Sequence, residues 1–270
     1  MLLAAGAQRL AQCIETPRLD AELLLAHTLG VSRAWLIAHA RDVVEAAPYE
    51  GLIERRATGE PLAYILGFKD FWTLCLLVTP AVLVPRPETE LLVERALALV
   101  STPSANVGDL GTGSGAIALA LASERPRWQV TATDASAEAL AIAQANALEL
   151  GLMRVKFLQG NWFAPLAGCR FDLILSNPPY IAASDAALAH PALQREPQMA
   201  LSPGADGMAS LREIIRNAPD FLAPHGWLLL EHGANQADEV AHELVARGFT
   251  HVRSHRDLAG HERVTEARST

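Results

Sequence analysis

Asp109-Leu110-Gly111-Thr112-Gly113-Ser114-Gly115 stands between a short apolar segment and an Ala/Leu-rich stretch. A strand that enters a helix through alternating glycines makes a tight turn whose backbone can lie close to a ligand, because glycine tolerates angles closed to other residues. Nothing else in the chain constrains the fold as strongly. Such a turn opens a βα unit, and the sequence beyond it keeps the pattern. Strands are expected at 107–110, 129–133, 155–159, 171–176 and 227–231, and helices at 116–123, 137–150, 209–222 and 235–247. Segments around Val252 and Val264 read as a closing antiparallel pair. The fold class is α/β, a mostly parallel, doubly wound sheet.

The first 66 residues lack a strand signal and read as a small helical bundle. Leu19, Leu23, Leu24 and Leu25 form an apolar stripe, with Asp20 and Glu22 expected to face out. Gly30 marks a stop, and Ser32 is an N-cap for a short helix carrying Trp35, Leu36 and Ile37. A further helix holds Tyr49, Leu52, Ile53 and Arg56 and ends near Gly59. Residues 71–78 are β-prone, and Thr79-Pro80-Ala81 interrupts them before Val82-Leu83-Val84, which reads as a hairpin. Pro85-Arg86-Pro87-Glu88-Thr89-Glu90 follows, then a helix over about 89–100, closed by Thr102-Pro103-Ser104. The expected division is a helical domain (1–66), a hairpin linker (67–85) and a larger catalytic domain (86–270).

Composition narrows the function classes. No apolar run reaches the roughly 18 residues of a membrane span, and the start lacks the basic region of a signal peptide. Cys13, Cys75 and Cys169 have neither metal-ligand nor disulfide spacing, so a reducing cytoplasm is expected, with no metal. The net charge is −8 and the longest basic run is Arg55-Arg56. Phosphate neutralisation supplies most non-specific affinity for nucleic acid, so a protein substrate is favoured over bare DNA.

A glycine loop of this kind suggests a nucleotide-like cofactor, yet Gly-x-Gly-x-Gly also occurs in dinucleotide-binding proteins. The third glycine comes one residue early for that fingerprint, and Ala116 would satisfy its relaxed form. Asp134, at the end of the second expected strand, can accept hydrogen bonds from a ribose. It could equally cap the next helix, and it does not separate NAD from S-adenosylmethionine. Asn161 and Trp162 follow the third strand, where Trp162 offers an apolar wall for an adenine ring. His232 and Glu231, ending the fifth strand, could border the cleft but read as solvated or structural.

Asn177-Pro178-Pro179-Tyr180 carries the reaction. It follows an apolar strand, and a Pro-Pro pair cannot continue a ladder. It forms a stiff turn at the strand's C-terminal end, where open α/β sheets bind ligands. The Asn177 side-chain oxygen and the Pro178 carbonyl are two fixed acceptors for one planar –NH2, and Tyr180 can stack on that group. This arrangement points to methyl transfer onto an amino or amide nitrogen.

Taken with the helical N-terminal region, the segment 85–90 and the tail His261-Glu262-Arg263-Val264, these motifs resemble the HemK/PrmC family over nearly the whole chain. The resemblance implies a Rossmann-like, S-adenosylmethionine-dependent protein-(glutamine-N5) methyltransferase acting on peptide chain release factors. It implies that Gly111, Thr112, Gly113, Ser114, Gly115, Asp134, Trp162 and Asn177 contact the cofactor. It also implies that Asn177, Pro178, Pro179 and Tyr180, with Arg86 beside them, hold the glutamine of a Gly-Gly-Gln motif. The chain departs from the family at Asn161, where Asp is usual, and at Gly108, usually a branched apolar residue. The competing reading is a nucleic-acid base N-methyltransferase acting on adenine N6 or guanine N2, since the tetrapeptide is shared. It would have to take its base out of the stack, and no basic channel is evident. A third is a cofactor-binding or ribosome-associated module without catalysis, which the intact tetrapeptide argues against. A monomer is expected.

Overall fold

The computed structural model describes residues 2–39 and 47–270. The N-terminal part holds α1 (Leu2–Leu10), α2 (Pro17–Leu29), α3 (Arg33–Ala38), α4 (Tyr49–Ala57) and α5 (Leu62–Leu66). Local signals bound these helices as their residue types require. Pro17 opens α2, Gly30 closes it in the left-handed region, and the Ser32 hydroxyl accepts the Trp35 N–H at 3.1 Å. Leu10, Ala21, Leu24, Leu25, Tyr49 and Ile53 fill the centre of the bundle.

The expected outward face of α2 is wrong in one respect. Asp20 and Glu22 are both buried at 4% exposure, whereas Leu19 is exposed. Several helices pack around α2, so its acidic residues meet partners in place of water. Asp20 accepts hydrogen bonds from Thr16 (2.9 Å) and Arg56 (2.7 Å), and Glu22 from Arg18 (2.9 Å) and Arg33 (2.7 Å). A carboxylate is tolerated at such depth only when paired in this way.

The hairpin is present, but its turn lies elsewhere. Strand β1 (Phe68–Phe71) pairs antiparallel with β2 (Leu74–Leu77), so the chain reverses at Trp72-Thr73 and not at residues 79–81. Trp72 takes φ 56° there. Its backbone N–H donates to Glu90 at 2.8 Å and its indole to Glu124 at 2.7 Å. Residues 82–84 form no strand.

A 3-10 turn, Pro87–Thr89, leads into α6 (Glu90–Leu99). Beyond it come β3 (Asn106–Leu110), α7 (Ala116–Glu124), β4 (Gln129–Asp134), α8 (Ala137–Glu149), β5 (Lys156–Gln159) and β6 (Phe171–Ser176). Then follow α9 (Gln198–Leu201), α10 (Ala209–Asn217), β7 (Leu222–Glu231), α11 (Ala237–Ala246), β8 (Thr250–Arg256) and β9 (Glu262–Arg268). The seven-stranded sheet has the order β5-β4-β3-β6-β7-β9-β8. Its first five strands run parallel, while β9 is antiparallel to both β7 and β8. The helix expected over 209–222 ends five residues early, because Pro219 cannot extend it. A 3-10 turn, Ala218–Asp220, takes its place, and Leu222 begins β7.

Both faces of the sheet are covered. Along β6, Leu173 and Leu175 join the core beneath α6 and α7, whereas Phe171 and Ile174 join the core beneath α10 and α11. That explains the unbroken apolar run of this strand. The order of connection reverses between β3 and β6, so a crevice opens at their C-terminal ends. The glycine loop leaves β3 on one side of it and the tetrapeptide leaves β6 on the other. Among the described residues, no helix is long and apolar enough to cross a membrane.

Candidate active site

The glycine loop is tied down at its entry, where the N–H groups of Gly111 and Thr112 both donate to the Thr133 carbonyl, at 2.8 and 2.9 Å. Gly111 has φ 73°, and a Cβ there would come within 3.1 Å of the Trp162 indole. Gly115 serves packing: a Cβ would meet Leu119 at 3.0 Å and Ala143 at 3.2 Å. Glycine at 111 thus lets the loop lie against the tryptophan, and glycine at 115 lets the helix start close to its neighbour.

Asp134 joins the loop to the second βα turn. One carboxylate oxygen accepts the Gly113 N–H at 2.9 Å and the other accepts the Ser136 N–H at 2.9 Å. The cap of α8 is Ser136, whose hydroxyl accepts the Ala139 N–H at 3.1 Å, so capping does not account for Asp134. Burial raises its pKa while the backbone donors of Ser136 and Gly113 pull it back. Asp109 is completely buried and receives the Thr112 hydroxyl at 2.6 Å. Desolvation, with a smaller push from Asp134, raises it to about 7. Desolvation thus biases both groups toward the neutral acid.

A cavity of about 280 Å³ opens over this loop, lined by Gly111, Gly113, Asp134, Asn161, Trp162 and Asn177 among others. Thr112, Ser114 and Gly115 do not line it. The Thr112 hydroxyl is spent on Asp109, and the Ser114 carbonyl accepts Asn146 Nδ2 at 2.9 Å. Asn146 is a residue that sequence reasoning missed. It also bonds both backbone groups of Leu77, at 2.7 and 3.0 Å, and so clamps the hairpin to the glycine loop. No local signal on α8 marks it.

A second cavity, of about 410 Å³, lies on the other side of the tetrapeptide and includes Arg86, Pro178, Tyr180, Asn235 and Arg263 in its walls. Asn177 lines both cavities, and Pro179 lines the first. Asn177 Nδ2 donates to Thr89 Oγ1 at 3.1 Å, which leaves its oxygen for another partner. The Tyr180 hydroxyl donates to Glu231 at 3.1 Å, and its carbonyl accepts Gln236 Nε2 at 3.0 Å. Arg86 is held by Glu196 at 2.5 Å, and the same carboxylate accepts the Val84 N–H at 3.0 Å.

Glu231 and His232 are not solvated, contrary to one expectation from sequence. They are 1% and 0% exposed. Burial pushes His232 down, and its Nε2 lies 2.8 Å from Thr265 Oγ1. Arg263 gave only a family signature in the sequence, and its place in the second cavity was not foreseen. Among the described residues, no cluster of side chains could hold a metal.

Similarity to known proteins agrees with this geometry. The family described as PrmC N-terminal domain matches residues 1–67, and the Methyltransferase small domain matches residues 87–206. The release factor glutamine methyltransferase of Xylella fastidiosa is 49% identical over 99% of this chain and 96% of its own. That of Pseudomonas aeruginosa is 50% identical over 92% of this chain and 91% of its own. The chain belongs to the release factor glutamine methyltransferase family. It is therefore an S-adenosylmethionine-dependent methyltransferase. A Thermus thermophilus 16S rRNA N2 G1207 methyltransferase, solved with AdoMet and guanosine, shares the fold at TM-score 0.57 and 19% identity. That match covers 75% of this chain and 50% of the other. The first cavity suits the family's cofactor: its walls carry one carboxylate, Asp134, and an indole, Trp162.

Proposed function

We propose that this protein methylates the side-chain amide nitrogen of the glutamine in the Gly-Gly-Gln motif of peptide chain release factors, with the cofactor in the first cavity. The observation that carries this reading is the place of Asn177 between the two cavities, with its Nδ2 committed to Thr89 and its oxygen free. The cofactor supplies an electrophilic methyl group on a sulfonium. Asn177 Oδ1 and the Pro178 carbonyl accept the two N–H bonds of the glutamine amide and hold its nitrogen toward the first cavity. An amide lone pair is delocalised and a poor nucleophile, so alignment matters more than activation. As the nitrogen becomes positive, both acceptors bind it more strongly than they bind the ground state. The proton is then acidic enough to leave to water, and no general base is needed.

Gly111, Gly113, Asp134, Trp162 and Asn177 hold the cofactor. Thr112, Ser114 and Gly115 support the loop from behind. Pro178, Pro179, Tyr180 and Arg86 shape the place of the substrate. The helical region, residues 1–66, selects the release factor, acting with a catalytic domain over residues 86–270. Its charges are largely spent internally, as in Arg9–Glu54, Arg55–Glu60 and Arg56–Asp20. A recognition surface built on those charges is thus reduced, and Arg41, Asp42 and Glu45 lie outside the described residues. Exposed Trp35 and Ile37 on α3 offer apolar contact in its place. The enzyme works as a cytoplasmic monomer without stable nucleic-acid binding, consistent with its net charge of −8.

The test is to incubate the protein with labelled S-adenosylmethionine, a release factor, a Gly-Gly-Gln peptide and bulk tRNA, rRNA and DNA. Label should appear in the glutamine of the intact factor and far less in the peptide, which lacks remote binding energy. Label in a nucleic acid, with none in the factor, would overturn the proposal.

A further inference from the structure

Glu231 ends β7, and its carboxylate joins the tetrapeptide at Tyr180. One oxygen accepts the Tyr180 hydroxyl at 3.1 Å, while Oε2 is buried and has no hydrogen-bond partner among the described residues. An unsatisfied carboxylate oxygen at this depth is costly, and an apolar residue would fill the space at less expense. Thr89, itself 5% exposed, lies close enough for its hydroxyl to counteract the effect of burial on the carboxylate, and no hydrogen bond joins the two in this structure. Thr89 Oγ1 already accepts Asn177 Nδ2. A hydroxyl has one proton, and with the lone pair turned to Asn177 that proton must go to another acceptor.

We infer that Glu231 and Thr89 are positioning residues that decide which way round the Asn177 amide stands. The carboxylate accepts the Thr89 proton, so Thr89 presents a lone pair to Asn177. Asn177 must then answer with its NH2 group and leave Oδ1 for the substrate. Rotated by 180°, the same side chain would point N–H groups at the N–H groups of the glutamine, and neither could pair. Through Tyr180 the same anion also fixes the far end of the tetrapeptide. The inference rests on the reading of Asn177 as an acceptor for the substrate amide.

The experiment measures turnover on a release factor, cofactor dissociation constant and melting temperature for Thr89→Val, Thr89→Ser, Glu231→Gln and Asn177→Ala. Thr89→Val should lower kcat about 10- to 100-fold, the loss typical of a misplaced reacting group, with cofactor affinity unchanged. Thr89→Ser should restore most of the rate, because it keeps the hydroxyl and loses only a methyl. Glu231→Gln should also lower kcat and leave cofactor affinity alone. The inference is overturned if Thr89→Val turns over like the parent while Asn177→Ala is inactive, a result that leaves the acceptor role standing. It is equally overturned if Thr89→Ser is as slow as Thr89→Val, since packing would then explain the loss. If Thr89→Val does not fold, a wild-type kcat in Glu231→Gln decides against it. Should Asn177→Ala itself keep normal turnover, the acceptor reading falls, and the inference with it.

Discussion

The two cavities that meet at Asn177 are built in different ways. The first is largely backbone: a loop whose glycines let it lie flat, one carboxylate bonded to two N–H groups and an indole against Gly111. Nearly half of its lining comes from the turns after β3, β4 and β5 at the end of the parallel sheet, and residues 81–83, 177–179 and 197–210 supply the rest. The second is assembled from side chains far apart in the sequence, including Arg86, Tyr180, Asn235 and Arg263. A cofactor common to many enzymes can be held by a device every open α/β sheet offers. A particular acceptor amide needs polar groups brought in from several segments, each held in orientation by another residue. Specificity therefore sits with side chains whose orientation depends on partners distant in the sequence.

Removing the residue that both cavities share separates their roles most directly. Asn177→Ala should lower kcat by on the order of 10²–10³, as loss of one preorganised hydrogen-bonding group does. The cofactor dissociation constant, measured by calorimetry, should change far less. Equal losses in both would mean that Asn177 serves the first cavity alone. Asp134→Ala should do the reverse. Loss of the bonds to a charged acceptor should weaken cofactor binding about 10- to 100-fold, with most of kcat recovered at saturating cofactor. Unchanged affinity would remove Asp134 from the cofactor site.

This division also explains what the sequence revealed. The alternation of strands and helices was legible because burial on both faces leaves continuous apolar runs, as in β6. The glycine loop and the tetrapeptide were legible because their chemistry is local. Errors came where tertiary partners override local pattern. Asp20 and Glu22 look solvated on a helical wheel but are buried among arginines from other segments. The hairpin turned at Trp72 because Glu90 and Glu124 hold it there. Thr89, Asn146 and Glu231 were unreadable for one reason: each works only through residues distant in the sequence.

Acidity separates the two sides again. Burial raises Glu231 from its ordinary 4.5 to about 7, against the Thr89 and Tyr180 hydroxyls and Arg263, with Glu88 adding a smaller push upward. The native state therefore binds this proton more tightly than the unfolded chain does. Its contribution to stability is fully present below the ordinary value and is lost as pH rises through about 7. Turnover should move the opposite way, because the carboxylate can accept from Thr89 and Tyr180 at once, whereas the neutral acid turns one of its oxygens into a donor. At saturating cofactor, kcat should rise between about pH 6 and 8 with a midpoint near 7, and Glu231→Gln should flatten that limb. A limb that survives the substitution would assign the titration to another group. Asp109, also near 7, belongs to the cofactor side, and its titration should appear in cofactor affinity.

The smallest expected effect tests whether the strand feeding the glycine loop is tuned for binding or merely imperfect. Gly108 sits in β3 outside the left-handed region, and a Cβ there would meet Phe171 at 3.5 Å and Ile174 at 3.6 Å, ordinary contact distances. Glycine in a strand interior sacrifices backbone entropy and a packing contact. Gly108→Ala should therefore stabilise the protein by about 0.5–1 kcal/mol in a urea titration, with an unchanged m-value. Gly108 does not line the cofactor cavity, so cofactor affinity should stay the same. A stabilised variant with weakened affinity would show that slack in β3 lets the glycine loop adapt to its ligand. A destabilised one would show that the space between Phe171 and Ile174 is already filled by side-chain motion.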